Sequence, residues 1–210
     1  MSELTNNSDK RVQDLLAFSL GMMNGENGAE LIERYKEAIE NVTPYDMLKL
    51  EDKQLEMGIS PDDIKRDIEK IINVLFKSLN SYQWEKPKQG SFLYYLMLEN
   101  DAFTYKLNQI KKILRSYKGR EQSDFATLSQ ELLPRFKEFE QFEYHYIKKE
   151  NILFPYLEKN WTSYRPLKVM WSIHDDIRRS LKKLIAMLDD KSTQWQELNI
   201  LIGKCFSLVF

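Results

Sequence analysis

The chain has 210 residues, of which 42% are hydrophobic and 30% are charged, the usual balance of a globular protein. Lys and Arg number 31 against 32 Asp and Glu, and this near-neutral charge argues against a general nucleic-acid binder, which needs a basic surface. The single cysteine, Cys205, excludes an intrachain disulfide and any zinc site built from cysteine pairs. The two histidines, His145 and His174, exclude any site that requires three or more imidazoles.

No segment of the sequence resembles a signal peptide or a membrane span. The N-terminal residues are polar and lack an apolar core. The longest apolar runs are far shorter than the roughly 18–20 residues that a transmembrane helix needs. We therefore expect a cytoplasmic protein that has no membrane partner, and the free thiol agrees with a reducing compartment.

The first 80 residues predict a small helical domain. Apolar residues recur at helical spacing from Val12 to Leu20 and again from Leu31 to Ile39. Two later helices are marked by their starts, because Thr43-Pro44 and Ser60-Pro61 each supply an N-cap followed by proline at the first helical position. We therefore place a four-helix module at residues 1–80.

The remaining residues predict a linker and a helical bundle. Residues 81–90 have no hydrophobic period and contain a proline and a glycine, which is typical of a linker. Residues 91–210 then carry four longer helical patterns, at about 92–117, 124–150, 166–188 and 192–210. Short connections between long helices favour an up-down four-helix bundle. The predicted fold class is all-α.

The histidines are the candidates for chemistry. A bundle can hold a metal ion where histidines and carboxylates project inward from facing helices. His145 with Glu150, and His174 with Asp175 or the acid after it, are the available sets. Both histidines lie at similar distances from the predicted connection at 151–165, so we expect the two rings in one layer of the bundle, near Glu99.

Helical spacing alone does not mark these sets as metal motifs. On a regular helix the neighbour of residue i is residue i+4, which is Lys149 for His145 and Arg178 for His174. Glu150 lies about 140° further round the helix from His145. Ordinary structural histidines are therefore the alternative interpretation.

Three other patterns favour structural roles. The aromatic residues Phe136, Phe139, Phe142 and Tyr146 recur at spacings of three and four, which is typical of a bundle core rather than of a surface that stacks bases. Cys205 lies among apolar residues, so we expect it to be buried and inert. The charge runs Lys148-Lys149 and Arg178-Arg179 are typical of solvated helix faces. No phosphate-binding, dinucleotide or serine-hydrolase motif is present in the sequence.

Two strings of the C-terminal half, HYIKKENILFPYLEK and VMWSIHDDIR, resemble the hemerythrin-like HHE cation-binding domain. In many bacterial proteins this domain follows a DUF438 domain. The N-terminal string AIENVTPYDMLKLEDKQLEMGISPDDIKR is similar to DUF438 itself. The resemblance implies a DUF438-like domain at 1–80 and a hemerythrin-like bundle at 91–210.

The same resemblance implies which residues form a metal site. The family's second-helix pair falls on His145 and Glu150, its third-helix pair falls on His174 and Asp175, and its first-helix acid falls on Glu99. The sequence departs from the family at two other places. Ser91 and Tyr94 stand where two first-helix histidines are usual, and Lys204-Cys205-Phe206 replaces the acids of the last helix shortly before the chain ends.

These departures predict a degenerate site. A diiron centre is not expected, because it needs more imidazoles than this chain contains. We expect no cofactor or a single iron or zinc ion, and no enzymatic activity. The leading interpretation is a cytoplasmic sensor or interaction protein, with an unidentified protein partner or a second copy of the chain. The alternatives are a metal-binding protein with a reduced mononuclear site and an oxygen- or redox-handling non-heme iron protein.

Overall fold

The computed structural model describes residues 3–117 and 125–209, and it is all-α as the sequence predicts. Helices make up 82% of it, and the described residues contain no strand. The chain divides into two compact units. One comprises Met1–Trp84 with Tyr156–Ser172, and the other comprises Glu85–Pro155 with Ile173–Phe210. The predicted boundaries at 1–80, 81–90 and 91–210, and the DUF438 likeness of the first part, stay predictions.

The first unit begins with five helices, which are α1 (Glu3–Met23), α2 (Gly28–Arg34), α3 (Lys36–Glu40), α4 (Pro44–Glu56) and α5 (Pro61–Ser81). Two of their starts are those that the sequence predicts. Thr43 caps α4 in a reciprocal capping box, and Ser60 caps α5, with a proline at the first helical position in both cases. The second predicted helix is divided in the structure, because Tyr35 lies between α2 and α3.

The core of the first unit is built from one apolar face of each of these helices. Leu15 and Phe18 of α1 pack with Leu31, Leu50 and Leu75, and each of these five side chains is almost fully buried. The later segment of this unit is attached through Asp52 of α4. Its carboxylate accepts hydrogen bonds from the backbone and the guanidinium of Arg165.

The bundle helices are α6 (Phe92–Ser116), α7 (Phe125–Phe139), α8 (Glu143–Lys148), α9 (Phe154–Asn160), α10 (Leu167–Asp189) and α11 (Trp195–Val209). A 3₁₀ turn (Glu140–Phe142) joins α7 to α8, and a π-helical turn (Lys149–Leu153) joins α8 to α9. The prediction that the second bundle helix ends at Glu150 is therefore wrong, since helical backbone continues to Asn160. The predicted boundaries at 124 and 210 lie outside the described residues.

The core of the second unit is rich in aromatic rings. Phe125, Phe136 and Phe139 of α7 are buried against Ile110 of α6 and Leu184 of α10. The aromatic series at 136–146 therefore contributes to the core, as its spacing predicts. None of the described helices is both long enough and apolar enough to cross a membrane.

Candidate metal centre

Four of the five predicted site residues lie together in the second unit, on three helical segments. Glu99 is on α6, His145 is on α8, Glu150 is in the π-helical turn and His174 is on α10. Both histidines and Glu150 are buried. The fifth, Asp175, has a side chain that is 56% exposed, and it accepts a hydrogen bond from Arg178.

The first histidine is paired with the acid of α6. His145 Nδ1 lies 2.8 Å from Glu99 Oε2. Because an ionised carboxylate can only accept, this nitrogen donates. The other oxygen, Glu99 Oε1, accepts a hydrogen bond from the ammonium group of Lys148, which is one turn beyond His145 on the same helix. Glu99 is thus held between an imidazole and an ammonium group.

The second histidine is part of a more buried network. His174 Nδ1 lies 2.7 Å from Glu150 Oε1, and Arg178 Nη2 donates to Glu150 Oε2 at 2.8 Å. Arg178 is itself fixed by Glu143, whose two carboxylate oxygens both lie 2.9 Å from Nε. Charge-assisted hydrogen bonds of this kind are the strong ones in proteins.

Tyr146 joins the two networks. Its ring centroid lies 5.8 Å from that of His145 and 4.4 Å from that of His174. The ring centroids of the two imidazoles are therefore separated by no more than the sum of these distances. Phe154 stacks against His174, with ring centroids 5.8 Å apart.

Glu150 lies in the π-helical turn that follows the helix of His145. A separation of five residues places two side chains on different faces of a regular α-helix. Here the backbone widens at residue 149, where the N–H of Phe154 bonds to the carbonyl of Lys149 instead of closing an α-helical turn. The carbonyl of His145 still accepts the N–H of Lys149 in an α-helical bond, and the two buried side chains bond different partners, Glu99 for His145 and His174 for Glu150.

Burial keeps both imidazoles neutral. Desolvation lowers the pKa of His174 to about 4, although its hydrogen bond to Glu150 opposes the shift. The pKa of His145 is lowered for the same reason, against the effect of Glu99. Lys149 adds to both shifts, because its positive charge repels a proton on either ring, and burial lowers the pKa of Lys149 itself.

Comparison with known protein families gives a match in this same part of the chain. The sequence model of the hemerythrin HHE cation-binding domain matches residues 91–209, which is more than half of the chain. The chain belongs to this family. No curated protein and no solved structure matches it significantly. The match begins after the first five helices and leaves their likeness to DUF438 untested.

The hemerythrin-like fold brings Glu99, His145, Glu150 and His174 into one unit, but their oxygen and nitrogen atoms do not fit a metal ion well. Among residues 3–117 and 125–209, no three His, Cys, Asp or Glu side chains are arranged to hold a metal. All four oxygens of Glu99 and Glu150 are already bonded to His145, Lys148, His174 and Arg178. A metal ion bound through the cation-bonded oxygen of Glu99 or Glu150 would have to displace Lys148 or Arg178, respectively.

The first-helix positions where the family usually carries histidine are occupied structurally. Ser91 caps α6 by accepting a hydrogen bond from the backbone of Tyr94. The ring of Tyr94 packs edge-on against Tyr95, with centroids 5.6 Å apart. Cys205 of the last helix is buried, and burial raises the pKa of its thiol to about 11, so it is protonated at neutral pH as expected for an inert thiol.

The interpretation of the charge runs as solvated faces is wrong for Lys148 and Arg178, and Lys149 is also only partly exposed. Lys148 is half-buried on Glu99, and the side chain of Arg178 is only 20% exposed. Spacing could have identified both, because they lie three and four residues after the histidines and hence on the same helix faces. Arg179, in contrast, has a side chain that is 69% exposed.

Proposed function

We propose that this hemerythrin-like protein is a non-enzymatic sensor or interaction protein whose ancestral cation site is closed by protein side chains. Lys148 and Arg178 supply the positive charge that a metal ion supplies elsewhere in such a site. The proposal keeps the family's bundle and its buried histidines, and assigns them a structural role.

The observation that carries the proposal is that every oxygen of Glu99 and Glu150 already has a hydrogen-bond donor. Glu150 is 7% exposed, and each of its oxygens has a charged or N–H donor. Removing one partner of such a buried pair typically costs about 3–5 kcal/mol. A metal ion at Glu150 would impose this cost by expelling Arg178, and it would also face the positive charge of Lys149.

The described residues also favour a role without catalysis. Both histidines are buried, neutral and bonded to carboxylates, so neither is positioned as a general base with access to a substrate. The thiol of Cys205 is protonated at neutral pH and therefore a poor nucleophile. The proposal includes a cytoplasmic location and an unidentified protein partner.

A mononuclear metal protein is the second candidate, and one observation favours it. Each histidine uses Nδ1 to bond a carboxylate, which leaves the lone pair of Nε2 for another partner. Histidines that bind metals commonly have this arrangement, because the carboxylate orients the ring. Iron and zinc both accept such nitrogen and oxygen donors.

Metal analysis of the purified full-length protein separates the two candidates. Wild-type protein and the His174→Gln variant are equilibrated with Zn²⁺ or anaerobic Fe²⁺, desalted and assayed for bound metal. The proposal predicts equal, substoichiometric metal in both proteins and no thermal stabilisation of the wild type by Zn²⁺. One metal per chain in the wild type that is lost in His174→Gln would establish the mononuclear site instead.

A gain-of-binding variant tests whether Lys148 and Arg178 are what keeps metal ions out of the site. Replacing both cations with glutamine, in the Lys148→Gln/Arg178→Gln double variant, frees one oxygen of each carboxylate while keeping the chain length of the side chains similar. We expect this variant to retain more Zn²⁺ than the wild type. Arg179→Gln is the matched control, because it removes an exposed charge from the same helix.

A further inference from the structure

An apolar cavity that is partly open to the surface lies in the second unit, next to the histidine pair. Its volume is about 30 Å³. Five aromatic rings form most of its wall, those of Phe103, Phe136, Phe139, Phe142 and Tyr146. Phe103 packs edge-on against Phe139 and Phe142, with centroids 4.8 and 4.3 Å apart, so this wall is fixed by ring-to-ring contacts.

The other walls are aliphatic, apart from one thiol. Leu107 of α6, Ile177 and Leu181 of α10, and Cys205 of α11 complete the cavity. Among the lining side chains, only Tyr146 and Cys205 carry a polar atom. Burial raises the pKa of Tyr146 to about 12, so its phenol is uncharged at neutral pH, as is the thiol.

This lining does not suit water. A buried water molecule needs two to four polar partners, and one water occupies about 10–15 Å³ on this measure of volume. The cavity thus has room for about two water-sized spheres but offers two weak partners at most. Apolar cavities of this kind stay dry and take up apolar guests such as xenon.

We propose that this cavity is a binding site for a small apolar molecule, of the size of xenon or a diatomic gas. Its volume excludes an aromatic or lipid-like ligand without rearrangement of the core, and its lining gives no advantage to a polar or charged one. The ligand would be held by dispersion contacts with the surrounding rings and methyl groups. The proposal does not depend on whether the neighbouring histidines bind a metal.

Occupancy of the cavity would be felt at the histidine pair. Tyr146 lines the cavity, and its ring also lies 4.4 Å from that of His174. A guest that moves or polarises this ring changes the ring-current field at His174. His174 therefore offers a reporter inside the protein, and the chain contains only one other histidine to assign.

The test uses xenon as the probe and the full-length protein. Methyl and imidazole NMR signals are recorded at increasing xenon pressure. We expect saturable shifts for the methyl groups of Leu107, Ile177 and Leu181, and for the His174 ring. Shifts that increase linearly with pressure at all methyl groups, including those of the first unit, would overturn the proposal, because they report nonspecific contact.

Two substitutions at one position give a matched pair. Cys205→Leu adds bulk that fills the cavity, so saturable xenon binding should be lost. Cys205→Ala removes the thiol and enlarges the cavity, so binding should be retained or strengthened. Loss of binding in Cys205→Ala would contradict a site based on volume and would indicate a role for the thiol.

A measurement on the wild type alone keeps the proposal testable if Cys205→Leu does not fold. Magnetisation transfer from water to the methyl groups of Leu107 and Leu181 detects any long-lived internal water. A dry cavity shows no transfer beyond that of other buried methyl groups. Strong transfer confined to these two residues would show that the cavity is hydrated, and would overturn the proposed ligand class.

Discussion

Replacing Arg178 with methionine isolates the contribution of the buried ion pair in the bundle. Methionine keeps much of the apolar stem of the side chain but removes the guanidinium that bonds Glu150, Glu143 and Asp175. Glu150 then remains buried, with His174 as its one charge-neutral donor. Breaking a fully buried pair costs about 3–5 kcal/mol. Because the Arg178 side chain is 20% exposed, solvent screens part of this interaction, and we expect a smaller loss of about 2–3 kcal/mol.

Native-state hydrogen exchange of the α10 amides measures this loss in the unit that contains the pair. A loss of about 2–3 kcal/mol corresponds to amide exchange about 30- to 160-fold faster. Arg179→Met is the matched control. Its side chain is 69% exposed and its ion pair with Asp176 lies at the surface, so we expect a change of only about 0–1 kcal/mol.

A double-mutant cycle decides whether the effect comes from the ion pair itself. If Arg178 stabilises the fold through Glu150, then Arg178→Met should cost less in a Glu150→Gln background, with a coupling of at least about 1 kcal/mol. Equal effects of the Arg178 and Arg179 substitutions, or zero coupling with Glu150, would show that the ion pair between Arg178 and Glu150 does not stabilise the bundle.

Two further predictions concern pH and packing. The pKa of His174 is about 4 in the native protein and near its ordinary value of 6.5 in the unfolded chain. The free energy of unfolding is therefore fully retained above pH 6.5 and falls by on the order of 3 kcal/mol as the pH drops to 4. NMR titration of the native ring should give a midpoint near 4, and a midpoint near 6.5 would contradict its burial. Gly21→Ala should lower the thermal unfolding midpoint by an amount equivalent to about 1–3 kcal/mol, because the new Cβ would lie 2.8 Å from the buried side chain of Leu31. In the same thermal melts the control Gly203→Ala on α11, whose Cβ meets no atom within 4 Å, should be neutral or stabilise the protein by up to about 1 kcal/mol.

Much of the fold could be predicted from local signals. Thr43-Pro44 and Ser60-Pro61 fix two helix starts through contacts within one turn, so no knowledge of the tertiary structure is needed. The division of a predicted helix at Tyr35 has no comparable signal in the sequence. The sequence predicts that the second bundle helix ends at Glu150. This prediction is wrong because a π-helical turn shifts the phase of the apolar pattern without breaking the helical backbone.

Four of the five residues of the candidate site could be placed together from the sequence, but their bonds to Lys148 and Arg178 could not. The two histidines and the two glutamates lie where the family resemblance places them, in one unit. His145 and Glu150 each bond a residue of another helix, which an argument from spacing within one helix could not reveal. The sequence assigns Arg178 to a solvated face because a run of adjacent charges is typical of one. In the structure the side chain of Arg178 is 20% exposed and that of Arg179 is 69% exposed, since adjacent residues lie on different sides of a helix.

The central claim is that Lys148 and Arg178, rather than a metal ion, balance the two carboxylates at the histidine pair. Long-range ¹⁵N–¹H NMR of the two imidazoles, before and after addition of Zn²⁺, tests this claim most directly, because it observes Nδ1 and Nε2 of each ring separately. The account predicts protonated Nδ1 atoms, unprotonated Nε2 atoms and no change in any of the four signals at one equivalent of Zn²⁺. A Zn²⁺-dependent shift of the Nε2 signal of either His145 or His174, complete at one equivalent, would contradict it.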